Sequence, residues 1–422
     1  MMSNNLFHEK ATIAVVGNVD SGKSSFIGVI KHGEYDDGNG SARSKISKLR
    51  HELESGKTSS HSYHYIYNNN NITTLIDLCG HEKYYKTTAF GISGLFPDYG
   101  MVMISASDGI NHMTIEHIAL MLFYGIPFIV VVTKIDICPE SVYNSNMNKL
   151  LKIFSKTNKR IQKMNNDAKI ISTFENDVIE KMNSKENQIF PLFEISNKTG
   201  YGIECLKNFI ISLEHVNRSI PKHLLINYVI RNEEPFIFYL DSAFSINGIG
   251  NVVSGKCIGG NITFGQKMYL GPISGRYIQI TAKNLHDSVC NDVKIIPDGT
   301  SGSVALRLSH KDDFSKKLFK KGMILTNNIN FARKYTSKKI TVELKIGNQK
   351  SNIRNGFQSI VHCGTVMQSA KITSDGKKFM KAGSTHIVEL QFCLRPEFIL
   401  PESKFILRIN KTVASGTIKS IN

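Results

Sequence analysis

The sequence predicts an α/β domain with a phosphate-binding loop (P-loop), followed by two antiparallel β-barrel domains. A P-loop motif directly follows an apolar run near the N-terminus. Apolar runs and helical patterns alternate through the first half, and short strand-like runs separated by glycine recur after about residue 219. The length of 422 residues allows roughly two to four domains, each with its own core.

The first half is predicted to form a parallel sheet. Its apolar runs are too continuous for half-exposed strands, and helical patterns at 114–124 and 203–213 lie between them. Residues 144–187 are rich in Asn and Lys and are predicted to be a helical insertion with loops, and 68–71 to be a hairpin turn or short loop. The predicted strands are 11–16, 73–78, 101–106, 128–132 and 192–195.

The second half is predicted to be all-β, because its strand-like runs are short and glycine-punctuated. We expect domains at 1–218, 219–330 and 331–422, with basic segments 316–321 and 327–339 joining the two β domains. The predicted strands are 236–240, 250–254, 266–270, 278–282, 303–308, 340–346, 359–366, 387–394, 405–409 and 412–418.

The formal charge of +17 is concentrated in the second half. Residues 1–218 carry 23 Lys or Arg against 22 Asp or Glu, residues 219–330 carry 13 against 8, and residues 331–422 carry 16 against 5. Such an excess favours a polyanionic partner such as nucleic acid. Solvated lysines in a generally basic, lysine- and asparagine-rich proteome would give the same composition.

Neither secretion nor membrane insertion is predicted. The apolar run 126–132 is far shorter than the roughly 20 residues that cross a bilayer. The N-terminus has neither the basic nor the apolar region of a signal peptide. The seven cysteines show no C-x-x-C spacing, which argues against a disulfide framework or zinc site and is typical of a reducing compartment. We therefore expect a cytoplasmic protein.

Residues 17–24 match the P-loop pattern G-x-x-x-x-G-K-[ST]. They lie between a predicted strand and a predicted helix, 24–30, which is the context that separates this motif from a chance glycine-rich turn. Backbone N–H groups of such a loop wrap phosphate oxygens, and the helix N-terminus adds partial positive charge. We expect Lys23 to reach the β- and γ-phosphates and the Ser24 hydroxyl to bind Mg²⁺.

Two later motifs predict that the base is guanine. After the strand at 128–132, the Asp136 carboxylate can accept both guanine N1–H and N2–H₂, while the stem of Lys134 covers the base. Ser196, Asn197 and Lys198 follow the last strand, where backbone N–H groups can meet guanine O6. Either motif alone is weak evidence for guanine, since a Lys-x-Asp after a strand is often a solvated turn. Both in this order predict GTP rather than ATP.

The end of the second strand supplies three more candidates. We expect Asp77 to act at Mg²⁺, directly or through a ligand, and the Gly80 N–H to sense the γ-phosphate. His81 follows this sensor, where it can orient the attacking water, because phosphoryl transfer needs positioning more than covalent help. A histidine in a loop is more commonly a surface residue or a satisfied core residue.

Residues 17–25, 77–88 and 133–136 together resemble the translational GTPases of the elongation factor Tu / 1-alpha superfamily. Residues 94–99, 133–136 and 196–200 are closer to one branch, the GTP-binding protein 1/2 family. The similarity continues in both β domains, at 246–255, 269–272 and 361–364.

The resemblance implies a GTPase domain, two β-barrels, GTP/GDP and Mg²⁺ as ligands, and His81 as the catalytic residue. It implies a switch I segment at 50–59, between Arg43 and Ser60, in which Thr58 joins Mg²⁺ and the γ-phosphate, and a role for Asp20 in structuring the P-loop. The nucleotide-binding residues are then Asn18, Val19, Asp20, Ser21, Gly22, Lys23, Ser24, Ser25, Gly80, Thr133, Lys134, Asp136, Ser196, Asn197 and Lys198, and the Mg²⁺ ligands are Ser24, Thr58 and Asp77.

Two residues depart from the wider superfamily. Thr133 replaces the asparagine that most GTPases carry, so we expect a weaker side-chain bridge to the P-loop. Cys79 stands where many translation factors have proline, which should loosen the turn before His81. Neither change removes a charge or a ligand, so a GTPase is still expected, while its intrinsic hydrolysis and nucleotide exchange are left open.

Three functions are compatible with these features. The first is an elongation-factor-type GTPase that binds aminoacyl-tRNA or a related RNA at the ribosome in its GTP state, as a monomer, with no membrane or DNA partner. The second is a GTP-regulated RNA-binding adaptor in RNA decay or quality control. The third is a metabolic enzyme subunit, such as the GTPase of sulfate activation, against which the basic second half counts.

Overall fold

The structure is a computed structural model that describes residues 7–46, 58, 60–155, 159–164, 168–184, 188–216, 218–228, 234–308, 319–347, 353–373, 379–409 and 412–422. The chain forms two compact units. The first comprises Met1–Ile92 and Pro97–Val216, and the second comprises Ser93–Phe96 and Asn217–Asn422.

The first unit contains a seven-stranded sheet in the order β2-β3-β1-β4-β5-β7-β6. Its strands are β1 His8–Gly17, β2 Ser62–Asn68, β3 Asn71–Asp77, β4 Tyr99–Ser105, β5 Phe128–Thr133, β6 Arg160–Lys163 and β7 Ile189–Glu194. All neighbouring pairs are parallel except β2 and β3, which form a hairpin through the predicted turn at 68–71. The central strands β4 and β5 are buried along their whole length, as their continuous apolar runs predict.

Helices connect these strands. They are α1 Lys23–His32, α2 Ser41–Ser44, α3 Tyr85–Gly94, α4 His112–Tyr124, α5 Glu140–Ser155, α6 Ala168–Asn183 and α7 Ile203–Ser212, and a 3₁₀ turn spans Glu82–Tyr84. Because the strands are parallel, the loops that follow β1, β3, β5 and β7 emerge at one edge of the sheet. The predicted site residues lie in or directly beside these loops, apart from Thr58, which precedes β2.

The second unit contains two antiparallel β-barrels. In the first, strands close in the order β11-β16-β8-β9-β15-β12, and pairing of β12 with β11 completes the ring. Its strands, with the short strands beside it, are β8 Ile237–Ile246, β9 Gly250–Ile258, β10 Ile262–Thr263, β11 Lys267–Ile273, β12 Arg276–Asp287, β13 Asp292–Val293, β14 Ile295–Ile296, β15 Ser301–Leu308 and β16 Ile324–Thr326. A four-residue helix, α8 Lys222–Leu225, precedes them.

The second barrel closes in the order β18-β23-β21-β20-β25-β26. Helix α9, Ile329–Lys334, precedes the strands β17 Thr336–Ser337, β18 Lys339–Ile346, β19 Ile353–Arg354, β20 Gln358–Cys363, β21 Val366–Thr373, β22 Phe379–Met380, β23 Thr385–Phe392, β24 Glu397–Phe398, β25 Lys404–Arg408 and β26 Thr412–Ile421. Alternate residues of β18 face the apolar core, which is the pattern of a sheet solvated on one side.

The predicted fold class is confirmed. One predicted strand was wrong, and two segments contain an element that was not predicted. The segment 144–187 is helical in α5 and α6, as predicted, but it also contains an edge strand, β6, whose four residues are polar or half-exposed and give no apolar run. The predicted strand 359–366 is two strands, because a turn at Gly364 and Thr365 separates β20 from β21. The segment 327–339 contains a helix, α9, and part of 316–321 lies outside the described residues.

No helix among the residues that the structure describes is long and apolar enough to cross a membrane.

Candidate nucleotide-binding site

The P-loop between β1 and α1 turns tightly around its lysine. Gly22 has a φ of 81° and Asp20 a φ of 59°, so both backbones adopt the left-handed conformation that such a turn requires. The Lys23 ammonium donates to the carbonyl oxygens of Asn18 at 2.7 Å and Gly17 at 3.2 Å. These bonds hold the ammonium within the loop, where phosphate oxygens can replace the carbonyls.

The environment of Lys23 sets its charge. Burial lowers the pKa of Lys23, and the nearby Asp77 carboxylate opposes this effect by favouring the charged form. Gly80 lies against the same ammonium, since a Cβ at Gly80 would be only 2.6 Å from Lys23 Nζ. The loop after β3 therefore approaches the P-loop at the point where Lys23 would meet the terminal phosphate.

Three oxygen ligands suited to Mg²⁺ converge beside the P-loop. The Ser24 hydroxyl donates to Asp77 Oδ2 at 2.7 Å, and Ser24 Oγ lies 3.4 Å from Thr58 Oγ1. Adjacent ligands of an octahedral Mg²⁺ are about 3 Å apart, because each lies about 2.1 Å from the ion. Two hydroxyls and one carboxylate are also the hard oxygen donors that this ion selects. The residues present therefore fit Mg²⁺. Of the proposed switch I, Thr58 is described, and 50–57 and 59 lie outside the described residues.

Two side chains from neighbouring strand ends brace the P-loop. The fully buried Thr133 donates its hydroxyl to Ser21 O at 2.9 Å, and Asn197 Nδ2 donates to Gly22 O at 3.2 Å. The Thr133 hydroxyl thus makes the side-chain bridge to the P-loop that we expected to be weaker than the bridge from an asparagine. Asn197 makes a second bridge to the next residue of the loop. Ser21 Oγ adds a bond to Asn18 O at 2.9 Å within the loop.

The predicted base-reading residues follow β5 and β7. Lys134 adopts a left-handed φ of 59° directly after β5, and Asp136 is exposed two residues later. Ser196 is fully buried after β7, and its hydroxyl oxygen accepts the N–H groups of Thr199 at 3.1 Å and Lys198 at 3.3 Å. The Lys198 N–H, one of those expected to face guanine, is therefore bound within its own loop.

His81 lies at the start of the 3₁₀ turn. Its Nδ1 accepts the Lys83 N–H at 3.1 Å, which leaves Nε2 to carry the proton of the neutral ring. The ring can therefore donate a hydrogen bond from Nε2. The preceding turn is held by the Thr88 hydroxyl, which donates to Cys79 O at 2.5 Å, and Cys79 itself is fully buried. The residue that was expected to loosen this turn is thus packed and bonded.

These loops surround a cavity of about 260 Å³. Ten predicted site residues line it: Val19, Asp20, Gly22, Lys23, Ser24, Ser25, Thr58, Gly80, His81 and Lys134. The remaining predicted residues, Asn18, Ser21, Asp77, Thr133, Asp136, Ser196, Asn197 and Lys198, lie outside this lining, and several of them bond to residues within it.

Sequence reasoning missed one wall of the cavity. It is formed by the segment after α1, through Asp36, Gly38, Asn39, Gly40 and Arg43. The glycines and aspartates of this segment indicate only a turn, and no motif connects it to the nucleotide. Its contact with the base-reading loop is visible only in the structure, where the Asp36 N–H donates to Asn197 O at 2.8 Å.

Comparison with known sequences gives a family match and two close relatives. The family described as "Elongation factor Tu GTP binding domain" matches residues 8–232. The chain is 32% identical to GTP-binding protein 1 of Xenopus laevis over 436 residues, covering 97% of this chain and 63% of that protein. It is 27% identical to GTP-binding protein 2 of Homo sapiens over 439 residues, covering 97% and 69%. The chain thus spans about two thirds of the length of these relatives.

Solved structures share the fold. A bacterial selenocysteine-specific elongation factor superposes with a TM-score of 0.67 at 21% identity, covering 97% of this chain and 58% of that chain. The GTPase-like domain of Ski7 from S. cerevisiae, bound to GTP, superposes with a TM-score of 0.65 at 15% identity, covering 98% of both chains. At these identities the likeness establishes the arrangement of a GTPase domain and two β-barrels.

Proposed function

Because the chain belongs to the elongation factor Tu GTP-binding domain family, we propose that it is a GTP-hydrolysing switch of the translation-factor type. One observation carries the proposal. The P-loop residue Lys23, the hydroxyls of Ser24 and Thr58, and Lys134 of the proposed base-reading motif line the same cavity, and Ser24 is hydrogen-bonded to Asp77. Lys23 would bind the β- and γ-phosphates, while Lys134, Asp136 and the loop at Ser196 would bind guanine.

Mg²⁺ would be held by Ser24 and Thr58, with Asp77 binding the ion or one of its ligands. When bound, the ion neutralises charge that develops on the phosphate oxygens. Asp77 also orients the Ser24 hydroxyl, because their hydrogen bond of 2.7 Å fixes where the Ser24 oxygen points. Gly80 packs against Lys23 Nζ, and its N–H would bind the γ-phosphate and so report its presence to the following turn.

His81 would orient the attacking water. With Nδ1 occupied by the Lys83 N–H, the ring would act through the hydrogen-bond donor Nε2 and not as a general base. Positioning of this kind is the main task in phosphoryl transfer, since the transition state needs in-line geometry and stabilised charge. Loss of the γ-phosphate would then release Thr58 and Gly80, the two contacts that couple the switch segments to the nucleotide.

The partner of this switch is proposed to be RNA. The expected domains are 1–218, 219–330 and 331–422, and the latter two carry 29 Lys or Arg against 13 Asp or Glu. Such a charge supplies affinity for phosphate backbones. The favoured role is binding of aminoacyl-tRNA or a related RNA at the ribosome in the GTP state, by a cytoplasmic monomer.

Filter binding of tRNA to the chain loaded with a non-hydrolysable GTP analogue or with GDP tests the RNA role. We expect tighter binding in the analogue state, and equal affinity in both states would refute it. A parallel hydrolysis assay with and without ribosomes separates the alternatives. Stimulation by ribosomes supports the elongation-type role, and state-dependent RNA binding without stimulation would favour an adaptor in RNA decay or quality control.

A further inference from the structure

Arg43 lies in the wall of the nucleotide cavity that the sequence motifs do not reach. It borders the same space as Lys23, Ser24 and Thr58. Arg43 is half-buried, on the four-residue helix α2, whereas its neighbours Ser44 and Lys45 are exposed. A guanidinium placed in a cavity that also contains the P-loop lysine suits a phosphate ligand.

Hydrogen bonds hold the backbone before Arg43. Asp36 Oδ1 accepts the Ala42 N–H at 2.9 Å, and Asp37 Oδ1 accepts the N–H groups of Asn39 at 2.8 Å and Ser41 at 3.1 Å. The segment therefore has a fixed course from Asp36 to the start of α2, so the position of Arg43 is set before a ligand binds.

Close packing ties this segment to α1. A Cβ at Gly28 would lie 2.1 Å from Ala42 O and 3.3 Å from Ala42 Cα, so only glycine permits this approach. Helix α1 begins at Lys23 and includes Ser24. Arg43 is thus one residue away from a backbone contact with the helix that carries the proposed phosphate and Mg²⁺ ligands.

The Arg43 guanidinium packs against Gly40. A Cβ at Gly40 would lie 3.3 Å from Arg43 Nη2 and 3.6 Å from Cζ, and Gly40 also lines the cavity. The planar fork therefore lies along the cavity wall. Lys45, two residues further on, forms an ion pair with Glu34 outside the cavity lining and provides a matched control.

We propose that Arg43 binds the polyphosphate chain of the nucleotide from the wall that the segment 36–43 contributes to the cavity. This inference rests on the proposed function, since it assumes that the cavity holds GTP or GDP. A guanidinium can donate two parallel hydrogen bonds to phosphate oxygens, and its charge would offset part of the phosphate charge that Lys23 leaves uncompensated.

The test compares nucleotide affinities of Arg43→Ala, Arg43→Lys and Lys45→Ala by titration with fluorescent GDP and a fluorescent GTP analogue. Charge-assisted hydrogen bonds of this type correspond to a loss of about tenfold to a hundredfold in affinity for Arg43→Ala. Arg43→Lys should recover part of this loss, because it keeps the charge without the fork. Lys45→Ala should bind as the unaltered chain does.

Thermal unfolding without nucleotide separates binding from folding. If Arg43→Ala unfolds at a lower temperature, Arg43→Gln, which keeps the first three carbons of the side chain and a polar end without the charge, replaces it in the titration. Wild-type affinity in the Arg43→Ala or Arg43→Gln variant would overturn the assignment of Arg43. Failure of the unaltered chain to bind either nucleotide would instead overturn the proposed function.

Discussion

Replacing Thr133 by Val is expected to weaken both the fold of the P-loop and nucleotide binding. Thr133 is fully buried, and its hydroxyl donates to Ser21 O at 2.9 Å. Valine has nearly the same shape but cannot donate, so the change leaves a buried carbonyl without this donor. Losing this hydrogen bond should lower the free energy of unfolding by about 1–3 kcal/mol.

The second brace limits this effect. Asn197 Nδ2 still donates to Gly22 O at 3.2 Å, one residue further along the loop. We therefore expect the lower part of the range, about 1–2 kcal/mol, which corresponds to a fall of roughly 2–8 °C in the melting temperature of a unit of this size. The P-loop must be reordered when nucleotide binds, so GDP affinity should fall about fivefold to thirtyfold.

Two measurements check the prediction: thermal unfolding by circular dichroism without nucleotide, and titration with fluorescent GDP. Thr133→Ser is the matched control, because it keeps the donor and loses only a methyl group. It should retain GDP affinity even if its melting temperature falls. A Thr133→Val variant that melts and binds GDP as the unaltered chain does would show that the bridge to Ser21 contributes nothing.

Three further predictions concern catalysis, base recognition and pH. His81→Ala should leave GTP affinity unchanged and slow stimulated hydrolysis by orders of magnitude, measured as phosphate release in single turnovers, because only water positioning is lost. Asp136→Asn should shift the preference from guanine towards xanthine nucleotides in competition binding, and an unchanged preference would contradict the assigned role. Burial raises the pKa of the Glu397 carboxyl to about 7, against the lowering effect of Arg395. The folded state therefore holds a proton that the unfolded state releases between about pH 4.5 and 7, so stability falls as pH rises through this window. Glu397→Gln should flatten that dependence in thermal unfolding.

The proposed phosphate-binding half of the site can be assigned from the sequence because its chemistry is local in the chain. Eight consecutive residues supply the loop, Lys23 and Ser24, and a single strand-to-loop step supplies Asp77, Gly80 and His81. The placement of Thr58 was implied only by resemblance, since nothing in its own neighbourhood distinguishes it from another loop threonine. The structure brings its hydroxyl to 3.4 Å from Ser24 Oγ.

The remaining features depend on contacts between distant segments. Strand β6 was missed because Arg160–Lys163 contains no apolar run, and it is a strand only because it pairs with β7. The wall from Asp36 to Arg43 was missed because its glycines and aspartates predict a turn but not where the turn packs. Its position is decided by the packing of Ala42 against Gly28 in α1 and by the bond from Asp36 to the distant Asn197, and the residues of the segment predict neither contact.

Hydrogen bonds connect the proposed base-reading loop after β7 to the P-loop and to the segment that carries Arg43. Asn197 donates from Nδ2 to Gly22 O in the P-loop and accepts the Asp36 N–H on its carbonyl oxygen. Asp36 in turn accepts the Ala42 N–H, immediately before Arg43. A shift of the loop after β7 on guanine binding would therefore move both the P-loop and the cavity wall that contains Arg43. Since groups in one such network do not act independently, recognition of the base and of the phosphates should be energetically coupled in this domain.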